Sequence, residues 1–324
     1  MPNTSKRPLK IGLVMPIANE WMAGKTARWK DMAAMAGLAE AAGFDSIWVN
    51  DHMFSKWGPD EPLRGNWEGW SLLSALAAVT SRVELGTFVI CTAFRNPALL
   101  AKMADAVDDI SDGRLILGIG AGYHEPEFRA FGYPFDHLVG RFEEAVTIVH
   151  TLLREGKIDF KGTFHEAPEC ELVPRLSRRN GPPILMGPRI TSPRMLRLTA
   201  KFADYYALFN FNAVAAYGPV RDAVDVACRD FGRDPATLAR MLCVAVDVPG
   251  MEDSVDRDSW VRPFRLSLAA TRGAPLTGSV DQVADGLRAF AAAGLNHAPV
   301  WLDPLSMAGV ERFARVLEAL DRDG

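Results

Sequence analysis

The sequence predicts an α/β protein, a (β/α)8 TIM barrel with insertions in the loops at the C-terminal face of its strands. Three observations carry this expectation. Short apolar runs rich in β-branched residues alternate with helical patterns along all 324 residues, and eight of each can be counted. In the first half of the chain, each strand is followed by a longer loop than the one that precedes it, which is how a barrel enzyme builds one functional face. A barrel uses roughly 250 residues or more. The length therefore suits one barrel unit spanning 1–324, with insertions at about 156–183 and 249–276.

The elements follow in order. The run KIGLVM (10–15) is a buried strand stopped by Pro16. Met32, Met35, Leu38 and Ala39 mark a helix over about 28–42, closed by Gly43. SIWVN comes next and ends in Asp51-His52. A long loop over 53–66 and a helix over 67–80 lead to the third strand, VELGTFVI. Its polar turn runs from Cys91 to Asn96, and Pro97 opens a helix at the position where a missing N–H costs nothing. Leu99, Leu100, Met103, Ala106, Val107 and Ile110 recur there at helical spacing, and Asp112-Gly113 stops the run. RLILGIG is the fourth strand, followed by a long loop over 122–138 and a helix over 139–154. IDFKGTFHEA alternates around Lys161-Gly162, a hairpin pattern inside the first insertion. Strand five is the short 184–186, after which Ser192-Pro193 supplies a cap and a first-turn proline. YYALF, MLCVAVDV and APVWL complete the strands. Helices around 219–231, after the Gly278-Ser279 cap, and over 307–320 complete the alternation.

Composition narrows the function. With 48% hydrophobic and 23% charged residues the chain is an ordinary globular protein, and a net charge of −4 leaves no footprint for nucleic acid or an anionic membrane. No apolar run approaches the roughly 20 residues of a membrane span, and no signal-peptide core precedes the first strand, so a cytoplasmic protein is expected. Cys91, Cys170, Cys228 and Cys243 form no CxxC, and the six histidines form no HxH or HExxH, so neither disulfide nor metal is expected.

In a parallel barrel, chemistry sits where strands end. Asp51-His52 sets a carboxylate beside a group that titrates near neutrality, as proton transfer requires. A histidine that merely caps a loop is the bland alternative, and the strand-end position weighs against it. His124, beside Tyr123 and Glu125, is either a second acid–base group or loop packing, and both readings stay open. Cys91 is expected to line a pocket. GIGAGY lacks the last glycine of a dinucleotide fingerprint, because Tyr123 stands there. The segment 187–192 offers a helix N-terminus with Gly187, Arg189, Thr191 and Ser192, suited to a phosphate. An ordinary cap with a solvent-facing arginine remains the alternative. Trp21, Trp57, Trp67 and Phe131 are candidates for the wall of a substrate pocket.

GFDSIWVNDH, TSRVELGTFVICTAFRNPALLAKMADAVDDISDGRLILGIGAGYHEPEFRAFGYPFDH, GPPILMG, SPRMLRLTAKFAD and GSVDQVADGLRAFAAAG together resemble the bacterial luciferase-like superfamily of flavin- and deazaflavin-dependent oxidoreductases. The resemblance spans nearly the whole chain. It implies a cofactor across the barrel mouth, with Asp51, His52, Val89, Ile90, Cys91, Thr92, Gly122, Tyr123 and His124 around the ring. Met186, Gly187, Arg189, Thr191 and Ser192 would then lie toward the phosphate. It also implies a non-prolyl cis peptide within 88–91, and a homodimer. Two departures stand out. The glycine-rich turn after strand five is replaced by the stiffer Gly187-Pro188-Arg189-Ile190-Thr191. Tyr123 also stands where the sugar-phosphate dehydrogenases of the family have an acidic residue, which disfavours their reaction. The function this implies is a monooxygenase that uses reduced FMN, supplied by a separate reductase, and oxygen to oxidise a small organic substrate. Hydride transfer with the deazaflavin F420 is the alternative within the fold, and a non-catalytic flavin-binding protein the alternative outside it.

Overall fold

Eight parallel strands close into a barrel in the computed structural model, which describes residues 7–56, 62–175, 178, 180–187, 192–209, 214–251 and 274–322. The strands are β1 (Lys10–Val14), β2 (Ser46–Val49), β3 (Glu84–Thr87), β4 (Leu115–Gly120), β5 (Ile184–Met186), β6 (Tyr205–Phe209), β7 (Ala239–Asp247) and β8 (His297–Asp303). Each pairs with the next, and β8 returns to β1 with Lys10 opposite His297. Around them run α1 (Trp29–Ala42), α2 (Gly69–Val79), α3 (Pro97–Ile110), α4 (Glu125–Phe131), α5 (Leu138–Glu155), α6 (Pro193–Phe202), α7 (Val214–Asp230), α8 (Val280–Ala292) and α9 (Met307–Arg322).

Local signals account for many of the helix ends. Pro97 and Pro193 each stand in a first turn, Ser279 and Gln282 form a capping box, and Gly43 and Gly156 close helices in the left-handed region. The first insertion holds the expected hairpin, Lys157–Lys161 against Glu166–Glu171. Most of the second insertion lies outside the described residues. Three features differ from the sequence reading. The loop after β2 contains a small antiparallel pair, Phe54–Ser55 with Arg64–Gly65. The loop after β4 contains α4. Helix α7 begins at Val214, so Pro219 lies inside it.

The sheet is buried on both faces. Val14, Trp48, Ile116, Leu185, Ala207, Met241, Cys243 and Trp301 fill the barrel, while neighbours such as Leu13, Leu117 and Met186 pack outward under the helices. Trp48 is wholly buried there, and a methyl at Gly86 would stand 2.1 Å from its ring. Glycine there is what admits an indole. Strand β3 breaks after Thr87 and resumes at Ile90–Cys91, again paired with β4, and the Phe88–Val89 peptide between the two pieces is cis.

Inside the barrel, Trp48 Nε1 donates to Ser46 Oγ at 2.7 Å, and Ser46 Oγ lies 2.6 Å from His297 Nε2. Burial pushes the His297 imidazole down to about 3. An unfolded histidine titrates near about 6.5, so between these values the unfolded chain binds the extra proton. This contribution is complete above the upper value and is lost as pH falls toward the lower one. Thermal melts from about pH 7 to about pH 4 are expected to show this loss, and a His297→Gln variant to lack it. Equal slopes in the two proteins would remove His297 as the source.

Candidate active site

The C-terminal ends of β2, β3 and β4 meet at one corner of the mouth. Asp51 follows β2 and is almost wholly buried. Its carboxylate accepts a bidentate pair of hydrogen bonds from Arg95, at 2.6 and 2.8 Å, and the Cys91 amide at 2.9 Å. Arg95 continues to Glu68 at 2.5 Å, and Glu68 caps α2 by accepting from the Trp70 and Ser71 amides. Burial works against the Arg95 charge, but Asp51 and Glu68 outweigh it and raise its pKa. Both Asp51 oxygens thus accept from the turn after β3, through Arg95 and the Cys91 amide.

The partner of His52 is Glu127, a residue the sequence reading did not single out. Its Oε2 lies 2.8 Å from His52 Nδ1, and its Oε1 accepts the Met53 and Phe54 amides at 2.5 and 3.2 Å. Glu127 is 1% exposed because α4 folds against the loop after β2, burying Phe128 beside it and ending at Gly132 in the left-handed region. On the other side of the imidazole, Tyr123 Oη lies 3.3 Å from Nε2. His124 is buried and packs edge-on against the His52 and Phe54 rings, at 6.2 and 6.1 Å between centroids. No local pattern marks Glu127, since its three contacts are made 73 to 75 residues away.

The other expected residues separate by where their side chains point. Val89 packs on the barrel-interior cluster: its two methyls lie 2.8 and 3.5 Å from where a Cβ would stand on Gly120 and Gly187, so the close approach at Gly120 depends on the absence of a side chain there. Thr92 Oγ1 donates to the Gly120 carbonyl at 3.2 Å. Gly122, with a φ of +79°, brings the backbone against Cys91 and Phe128 where a Cβ would clash at 2.6 Å. Burial pushes the Cys91 thiol up to about 12, with Asp51 and Glu127 adding to the effect. It stays protonated near neutrality and packs with Phe94 and Phe128. The side chains of Ile90 and Met186 lie in the layer between sheet and helices. Ser192 caps α6 by accepting the Met195 amide at 3.3 Å. Gly187 is half-buried at the end of β5, while Arg189 and Thr191 lie outside the described residues.

Of the aromatic candidates, Phe131 is exposed and its ring lies 6.3 Å from that of Phe54, near His52. Trp21 packs on Trp301 at 5.0 Å at the barrel interior. Trp67 is fixed to the loop after β1 by a 2.9 Å bond from Nε1 to the Ala27 carbonyl. Trp57 lies outside the described residues. Among the described residues, no three His, Cys, Asp or Glu side chains are placed to hold a metal ion, and no helix is long and apolar enough to cross a membrane.

A family model for luciferase-like monooxygenases matches residues 9–270. The pyrimidine monooxygenase RutA of Rhizobium rhizogenes (strain K84) is 29% identical over 265 residues, covering 78% of this chain and 70% of that protein. An F420-dependent secondary alcohol dehydrogenase in complex with an F420-acetone adduct superposes with a TM-score of 0.78 at 20% identity, over 96% of this chain and 99% of that one. The EDTA monooxygenase EmoA from Chelativorans sp. BNC1 gives 0.79 at 16% identity, over 98% and 94% of the two chains. At these identities the two structures speak for the fold, and the closed barrel is shared with both.

Proposed function

The chain belongs to the luciferase-like monooxygenases, and from that premise we propose that it oxidises a small organic substrate with reduced FMN and oxygen at the C-terminal mouth of the barrel. It is an oxidoreductase. The observation that carries the proposal is His52 at the end of strand β2, held at Nδ1 by Glu127 and approached at Nε2 by the Tyr123 hydroxyl. A titratable group so placed fits the proton movements that accompany oxidation. When bound, the reduced ring supplies the electrons for oxygen activation. Val89 and the Trp21–Trp301 pair exclude water below the ring, His52 holds or moves a proton at Nε2, and Asp51 with Arg95 fixes the turn that carries Cys91 and Thr92. The phosphate is assigned to the start of α6, where Ser192 stands with Arg189 and Thr191 before it. The aromatic edge of Phe54 and Phe131, together with the likeness to a pyrimidine monooxygenase, favours a flat heterocyclic substrate.

Titrating the purified protein with FMN and F420, each oxidised and reduced, tests the reading. Binding of reduced FMN with substrate-dependent oxygen uptake is the expected result. Binding of F420 alone, with no oxygen consumed, would replace it with hydride transfer, and binding of neither would end both.

The proposal includes a separate reductase as the source of reduced FMN, and a second copy of the chain. Helix α3 turns Leu100, Ala104 and Val107 to the barrel but Leu99 and Ile110 outward, and neighbouring α2 exposes Val79. The stripe on α3 is thus apolar on two sides, where a helix covered on one side would need only one. A Leu99→Glu, Ile110→Glu variant is expected to sediment as a monomer where the parent sediments as a dimer; a monomeric parent would remove this part of the proposal.

A further inference from the structure

We infer that Glu127 is a positioning residue that locks His52 in the tautomer with hydrogen on Nδ1, leaving Nε2 to exchange a proton with the Tyr123 hydroxyl at the edge of the site. The role of this pair in oxidation rests on the proposed function; the hydrogen-bond assignment does not. Glu127 Oε1 is fixed by two backbone donors, Met53 N–H and Phe54 N–H, so Oε2 alone remains for the imidazole. A carboxylate can only accept, so in the neutral ring Nδ1 carries the hydrogen and Nε2 presents its lone pair. This is the arrangement in which a buried carboxylate orients a histidine for proton transfer and stabilises its cation.

The three groups step outward from the core. The Glu127 side chain is 1% exposed, that of His52 25%, and Tyr123 as a residue 42%. Tyr123 Oη lies 3.3 Å from Nε2, a long contact of the kind that tightens when a catalytic site is filled. With the ring protonated, both nitrogens donate. As Tyr123 gives its hydroxyl proton to an acceptor in the mouth, the Nε2 proton passes to Oη. One O–H bond breaks and one forms at Tyr123, the N–H bond breaks at His52, and the imidazole is left neutral with hydrogen on Nδ1. Tyr123 ends as it began, and His52 regains its proton from solvent. Run in reverse, the same path removes a proton.

Nitrogen NMR on the full chain with labelled histidine tests this without cofactor or turnover, so its failure is distinct from failure of the flavin reading. His52 is assigned by the signals lost in a His52→Gln variant, and spectra are recorded at alkaline pH. The wild type is expected to show the Nδ1–H pattern. In Glu127→Gln, the amide oxygen stays on the Met53 and Phe54 N–H groups, so the amide NH2 faces Nδ1 and the ring must switch to hydrogen on Nε2. In Tyr123→Phe, the Nδ1–H pattern is kept while the Nε2 resonance moves, having lost its hydroxyl donor. A wild type with hydrogen on Nε2, or a Gln variant that keeps Nδ1–H, would overturn the role of Glu127. An Nε2 resonance unmoved in Tyr123→Phe would overturn the pairing with Tyr123. If the Gln variant does not fold, the wild-type spectrum alone decides, because an Nε2–H ring is incompatible with the assigned geometry.

Discussion

A His52→Ala variant is expected to lose turnover by about a hundredfold to ten-thousandfold, the range over which a positioned acid–base group acts, while reduced FMN still binds. The imidazole is held between Glu127 and Tyr123, and the apolar cluster of the barrel interior does not include it. On the proposed function, removing it takes away the proton path and leaves that cluster in place, so kcat is expected to fall and the FMN Kd to change little. Its side chain is 25% exposed, so water can enter and satisfy the Glu127 oxygen it leaves behind. Folding is therefore expected to survive, which circular dichroism and thermal melting would confirm. Substrate-dependent oxygen uptake against substrate concentration, with FMN binding measured in parallel, separates the two effects. Full turnover would exclude His52 as the proton carrier, and lost FMN binding would show that it holds the ring instead.

The parts of this site that were legible in the sequence are those fixed by neighbours in the chain. Pro97, Ser192, Ser279 and Gly43 act within one helical turn, so the alternation of strands and helices could be read from them and from the apolar runs. The position of His52 at a strand end followed from that count. What was hidden depends on contacts across the fold. Parallel strands buried on both faces carry no alternation, so nothing in LILGIG or ILM tells which residues point inward. The side chains of Ile90 and Met186 pack under the helices, whereas that of Val89, one residue before Ile90, packs on the barrel interior. Helix α4 is seven residues long, too short to show a period, and so Glu127 read as part of a loop. The pairing of Asp51 with Arg95 spans 44 positions, and the sequence showed only a polar turn after the third strand.

That same pair leads to the largest expected effect on stability. Asp51→Ala removes the bidentate partner of Arg95, whose side chain is 10% exposed, and orphans the Cys91 amide. A buried ion pair broken on one side costs about 3–5 kcal/mol, because the remaining charge stays in a poorly solvated place. Glu68 remains 2.5 Å from Arg95 but is itself 39% exposed, so it offsets only part of that cost. The damage is expected to concentrate where the turn after β3 meets the mouth, because Asp51 is what ties Cys91 and Arg95 to the end of β2. Arg95→Met is predicted to cost at least as much as Asp51→Ala, since the Asp51 carboxylate it leaves unpaired is 1% exposed against 10% for Arg95. The double variant is expected to be more stable than Asp51→Ala alone, with a coupling of roughly 0.5–3 kcal/mol between the two positions. Urea unfolding of the three variants and the parent measures that cycle. Additive losses would mean that the two side chains do not act as a pair, and the anchoring of the mouth would then have to come from the Glu68 cap of α2 instead.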